Sequence, residues 1–206
     1  MPDQLRKQPR QQRARETVDA ILAAAAELLD ERGWEGFNTN LLAERAGCRV
    51  AAVYRYFPDK IAIVTTLAER VVSNWNQQFT DFDKALQKRS LRSIWPEYLR
   101  RFIRTVEGEP GALAVRRAMM AMPELRVIDR ADNERLANAL AHQLAHTYPR
   151  LSKVECTSVA RVLIESAVAL IDHSLDAGPA EARRLRRQLE VMHDSYLARL
   201  ESPQEN

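Results

Sequence analysis

The chain has 206 residues, 46% of them apolar and 29% charged, so it can bury a core without staples and is not a disordered polymer. A net charge of only +3 does not by itself name a polyanionic partner. Two distant cysteines, Cys48 and Cys156, argue against a disulfide framework or a Cys-based zinc site, and no apolar run approaches the length of a membrane span. The basic N-terminus lacks a following apolar stretch, so no secretory signal is read there and a reduced, cytoplasmic setting is expected.

Glycine is scarce, alternating apolar runs are absent, and Ala, Leu, Arg and Glu dominate, so the fold class is all-α with about nine helices. The first segment, residues 1–12, reads as a flexible basic arm. Arg6, Lys7 and Arg10 lie in it and Arg13 and Arg15 just beyond, against the single acid Asp3. A helix is expected from about Arg13. Val18, Ile21, Leu22, Ala25, Leu28 and Leu29 form its apolar stripe, and Gly33 is placed as its C-terminal cap. Asn38 is set to cap a short helix over 39–46, Gly47 carries a turn, and a second short helix covers 49–56. Pro58 ends it and Asp59 caps a long helix running to about Phe79, with Val64, Leu67, Ala68, Val71, Trp75 and Phe79 on its inner face.

Five further helices are expected. Ser93 opens one over 93–107, and others cover 110–121 and 124–147. Ser152 and Glu155 have capping-box spacing for a helix over 152–176, and Gly178-Pro179 separates it from the last, 180–201. The domain boundary is expected in the first turns of the long fourth helix, giving a unit over 13–60 and another over 61–206.

Two short helices around a turn with glycine are the shape of a helix-turn-helix reader, whose second helix lies in the DNA major groove. The stretches AAELLDERGW (25–34), LLAERAGC (41–48) and VYRYFPDK (53–60) go further. With them, residues 17–60 resemble the DNA-binding unit of the tetracycline-repressor (TetR) family. The rest of the chain is similar only in length, helix count and all-α character. The resemblance implies a sequence-specific transcriptional regulator that is not an enzyme and needs no cofactor. It implies a repressor released from a palindromic operator by a small effector.

The resemblance further implies roles residue by residue. Val50, Ala52 and Arg55 approach base edges, with Arg55 first because a guanidinium bonds O6 and N7 of guanine together. Asn40 matches a position that touches bases. Thr39, Tyr54, Tyr56 and Lys60 match positions that bond phosphates. The family commonly runs Val-Ser-x-Gly-Thr after Ala-Gly, but here the residues are Cys48-Arg49-Val50-Ala51-Ala52. Arg49 therefore costs the second helix a hydroxyl cap and becomes a candidate phosphate contact. Arg45 reads as a solvated charge, Phe57 as core, and Cys48 as a small core hydrophobe rather than a redox sensor.

No GxSxG, Gly-rich phosphate loop or HExxH occurs. Trp75, Trp95, Tyr98, Phe102, Met119, Met120 and Met122 are the candidates for an apolar or aromatic effector pocket, with an ordinary bundle core as the bland alternative. Val159, Val162, Leu163, Ser166 and Leu170, with Leu185, Leu189, Met192 and Tyr196, are placed at a homodimer interface by the resemblance. Two other readings stay open. His142 and His146, spaced i, i+4, could hold a metal if Asp172 or His173 converged, making a helical metal protein or enzyme. A DNA-architectural protein without an effector is the other.

Overall fold

The computed structural model describes residues 11–201, apart from residue 87 and the side chains at 78 and 83. All but the last two residues of the expected basic arm lie outside the described residues. Among the described residues there are nine helices and no strand: α1 (Gln12–Gly36), α2 (Thr39–Arg45), α3 (Val50–Tyr56), α4 (Lys60–Leu86), α5 (Leu91–Gly108), α6 (Ala112–Ala121), α7 (Pro123–Thr147), α8 (Lys153–Asp176) and α9 (Pro179–Glu201). Among the described residues no helix is long and apolar enough to cross a membrane.

The helix ends follow local chemistry. The helical path of α1 is interrupted at Gly33 (φ 62°, ψ −174°), the residue expected to cap it. The Asn38 side chain accepts from the Leu41 amide at 3.0 Å and starts α2. Gly47 (φ 62°) ends α2 in the left-handed region, where the Gly47 amide donates to the Glu44 carbonyl at 3.1 Å and the Cys48 amide to the Ala43 carbonyl at 2.9 Å. That pair of bonds is a Schellman closure, which is why the turn takes glycine. Asp59 Oδ1 accepts from the Ala62 amide at 2.8 Å and opens α4. The Ser152–Glu155 capping box is formed in both directions.

Two boundaries differ from expectation. Helix α4 continues to Leu86 because Phe82 extends the inner stripe one more turn and is buried. Helix α5 starts at Leu91, and Ser93 does not cap it. Instead the Ser93 amide donates to Ser90 Oγ at 3.3 Å, so Pro96 falls inside the helix.

The chain divides into two compact units, residues 1–74 with 105–129, and residues 75–104 with 130–206. The boundary expected from the sequence lies at residue 60. The first fourteen residues of α4 after Lys60 also belong to the first unit, and so does all of α6. The physical reason is a tertiary contact with no local signal. The Asp30 carboxylate of α1 accepts from the Gly111 amide at 2.6 Å, at the start of α6. Gly111 has φ +77°, and a Cβ there would lie 2.4 Å from Ala26 Cβ and 2.7 Å from Ala26 Cα. Helices α1 and α6 pack closely because this position has no side chain.

Within the first unit α2 packs on both α1 and α3. The whole predicted stripe of α1 is buried, together with Phe37, Leu42, Val53 and Phe57. Arg116 of α6 is buried and paired with Asp129 of α7.

In the second unit α8 packs along α9, and one apolar cluster takes in Phe79, Phe82, Trp95, Leu99, Leu140, Leu144, Leu163 and Leu189. A polar relay is embedded in this unit. Trp95 Nε1–H donates to His193 Nδ1 at 2.7 Å, and His193 Nε2 lies 2.8 Å from Ser166 Oγ. His193 is 1% exposed. Because Nδ1 accepts, the neutral ring carries its proton on Nε2 and donates to Ser166. Burial pushes the imidazole down from 6.5 to about 4.

Two outcomes follow from these contacts. Gly111→Ala places a methyl against Ala26 in an unfavourable backbone region, so it should lower stability by about 1–3 kcal/mol or more, read from denaturant midpoints at constant m-value. His193 has a folded-state value below its unfolded one, so the unfolded chain binds more protons between pH 6.5 and about 4. Its stabilising contribution is complete above pH 6.5 and is lost as pH falls through that window. His193→Gln, which takes up no proton, should flatten that part of the stability profile relative to the unsubstituted protein. Parallel profiles would show that His193 does not titrate this way.

Candidate nucleic-acid interface

Helix α3 has only seven residues, and its two faces are sharply different. Val53 and Tyr56, with Phe57 just beyond, turn inward and are at most 6% exposed. Ala51, Tyr54 and Arg55 turn outward, with Val50 and Ala52 half-buried at the margins. Arg49 stands exposed at the helix start and provides no side-chain cap, as the missing hydroxyl predicts.

The other expected residues gather around this face. Thr39 begins α2, and its hydroxyl shares a 3.2 Å hydrogen bond with the Tyr54 hydroxyl. That bond joins the start of α2 to the last turn of α3 through two of the side chains expected to meet phosphate. Asn40 is exposed beside Thr39. Tyr56 is placed differently. Its ring is buried, and the Arg55 guanidinium lies 5.9 Å from the ring centroid. Lys60 is half-buried at the first position of α4, with its ammonium 4.1 Å from the centre of the Trp34 ring. Trp34 was not among the residues singled out for the site. Its signal in the sequence is only an aromatic after Gly33, which reads as core.

Arg45 is not simply solvated. It forms a two-pronged bond to Glu31 of α1, at 2.6 and 2.8 Å. The guanidinium holds the Glu31 carboxyl below the usual carboxylate range. This pair ties α2 to α1 and keeps Arg45 off the outer face. Burial raises the Cys48 thiol, which leaves less thiolate for redox chemistry.

The effector candidates do not share one compact unit. Met119, Met120 and Met122 belong with α1–α3 to the first unit, where Met119 is buried and Met120 is 41% exposed. Trp75, Trp95, Tyr98 and Phe102 lie in the second. There Trp75 meets Phe102 edge-on at 5.3 Å, and Phe82 bridges Trp95 and Tyr98 at 5.8 and 4.6 Å. Trp95 is 1% exposed with its N–H committed to His193, so it is a core residue. Burial and the nearby Asp132 keep the Tyr98 phenol protonated far above its usual range. A small surface cleft of about 80 Å³ opens beside Phe82, Ile94 and Tyr98, rimmed by the Asp81–Arg101 and Arg89–Glu97 ion pairs. Of the seven candidates only Tyr98 lines it.

His142 and His146 are exposed, with ring centroids 5.2 Å apart. Among the described residues no group of three or more His, Cys, Asp or Glu side chains could hold a metal ion. Val159, Leu163 and Leu189, expected between protomers, are buried within the chain, while Ser166 is bonded to His193. The apolar side chains facing outward on α8 and α9 are Val154, Val162, Val191 and Met192.

Comparison with known proteins places this geometry. Residues 21–67 match the family described as bacterial regulatory proteins, tetR family, and residues 90–197 match the tetracyclin repressor-like C-terminal domain. The class C tetracycline repressor protein of Escherichia coli is 40% identical over 55 residues, which are 27% of this chain and 25% of that protein. The chain thus matches only about a quarter of that relative's length. Among solved structures, a TetR-family transcriptional regulator from Streptomyces coelicolor superposes with a TM-score of 0.63 at 21% identity, covering 89% of this chain and 99% of that one. Another from Pectobacterium atrosepticum gives 0.66 at 15% identity, covering 93% and 97%. At such identities these two speak for the fold alone. The two family matches take in the helix-turn-helix and more than half of the chain beyond it, and the chain belongs to the TetR family of regulatory proteins.

Proposed function

We propose that this protein is a cytoplasmic, homodimeric, sequence-specific DNA-binding regulator, a repressor released from a palindromic operator by a small effector. The observation that carries the reading is the two-faced α3. Val53 and Phe57 anchor it, and Tyr54 and Arg55 stand out beside Thr39 and Asn40. Arg55 reads guanine, with Val50, Ala52 and Asn40 near the neighbouring base edges. Thr39, Tyr54, Arg49, Tyr56 and Lys60 hold phosphates and fix register. Lys60 has the added help of the α4 N-terminus, which itself favours an anion.

The exposed Val154, Val162, Val191 and Met192 support pairing of α8 and α9 with a second copy. Two-fold pairing matches two half-sites a helical turn or its multiple apart. The aromatic series of α4 and α5 supports a mainly apolar or aromatic effector. Helices α4, α5 and α7 each contribute residues to both compact units, so each is a candidate carrier of the response. Release requires the effector to prefer the form that does not hold DNA, since equal affinity shifts nothing.

Gel-shift titration on DNA flanking the gene tests the reading, with salt-sensitive, sequence-selective retardation as the expected result. Binding without sequence preference, or none, overturns it. Arg55→Ala should weaken operator binding by about 1–3 kcal/mol and relax preference at one base position. Lys60→Ala should weaken binding to every duplex alike and reduce the salt slope by about 1. An unaltered slope would take Lys60 off the phosphate.

A further inference from the structure

Trp34 stands at the margin of the proposed interface. Its ring stacks on Phe37 with centroids 6.2 Å apart and planes within 11°. Phe37 is only 1% exposed, so the lower face of the indole rests on a side chain held by the core. The Lys60 ammonium lies 4.1 Å from the Trp34 centroid. Among the described residues no carboxylate comes within ion-pair distance of Lys60.

The choice of a ring rather than a carboxylate has a chemical consequence. A carboxylate would neutralise the ammonium and occupy its N–H donors. An aromatic face attracts the cation through its quadrupole but takes up no charge, so the donors pointing away from the ring remain free for oxygen. A lysine stem otherwise samples many rotamers, and ordering it on binding costs affinity. A stacked indole removes much of that cost beforehand.

We propose that Trp34 is a positioning residue for DNA binding: its indole face, fixed by Phe37, holds the Lys60 ammonium at the start of α4 ready for a backbone phosphate. This rests on the DNA-binding function proposed above. Trp34 itself touches no nucleic acid.

The probe is a duplex selected by the unsubstituted protein from a random-sequence pool. Trp34→Leu keeps an apolar side chain without a ring face and should lower affinity about two- to fivefold. In a Lys60→Ala background the same substitution should cost nothing further. Trp34→Phe, a weaker ring, should retain part of the effect. In the free protein, NMR should find the Lys60 ε-methylene protons shifted upfield by the indole, and the shift should vanish in Trp34→Leu.

Thermal melts check that each variant folds. If Trp34→Leu does not, Trp34→Phe and Trp34→Tyr carry the cycle. An equal loss in both backgrounds would make Trp34 a packing residue and overturn the proposal, as would unshifted Lys60 resonances. If no duplex is selected at all, the DNA-binding function itself falls, whatever the NMR result for the Lys60 contact.

Discussion

The inward anchoring of α3 by Val53 and Phe57 is the constraint on which the proposed interface depends. A seven-residue helix is too short to persist alone in water, because nucleation is costly and few bonds follow. It exists because both anchors are withdrawn from solvent. Once they are, the helical pitch leaves no choice about the rest. At about 100° per residue, Arg55, midway between the anchors, points directly away from the core, and Tyr54 flanks it on the exposed side. The Schellman turn at Gly47 and the Asn38 cap then set where α2 and α3 begin and end. The Arg45–Glu31 pair adds a fork-to-fork tie between α2 and α1.

The second unit spends its large rings differently. Trp95 looked available for a ligand when only its size was known. It is instead the donor in a three-member polar relay with His193 and Ser166, each member satisfied. Such a relay costs little while complete, and breaking any member leaves a buried polar group unpaired. The rings of Phe79, Phe82 and Tyr98 extend that core along α4 and α5, tilted or edge-on as aromatic quadrupoles prefer. The aromatic composition of this region therefore serves packing first. The surface cleft beside Tyr98 draws on a small part of it.

Most helix starts of the chain were legible to a residue or two, while the end of α4 lies several residues beyond the last stripe position read from the sequence. Every apolar position assigned to the stripes of α1 and α4 is buried, because period-3.6 patterning records burial directly. Caps at Asn38, Asp59 and Ser152 work as their spacing implies. The misplaced start of α5 has a simple cause: two serines, Ser90 and Ser93, lie one turn apart, and either could serve. The helix-turn-helix was legible because its motif combines turn chemistry with a buried face. The residues that would read DNA were assigned from the resemblance, and the fold adds that Asn40, Arg49, Tyr54 and Arg55 are exposed while Tyr56 is buried.

Sequence by itself determined the all-α class, the helix order, the outward face of α3 and the missing cap at Arg49, since each depends on residues within a turn or two of one another. Only the tertiary structure decided that α6 joins the first unit through Asp30, Ala26 and Gly111. It alone placed His193 beneath Trp95, and the Lys60 ammonium over Trp34. These pairs are separated by dozens of residues in the chain. No periodicity or cap links them, and their energies arise only when the packed helices bring the partners within a few ångströms.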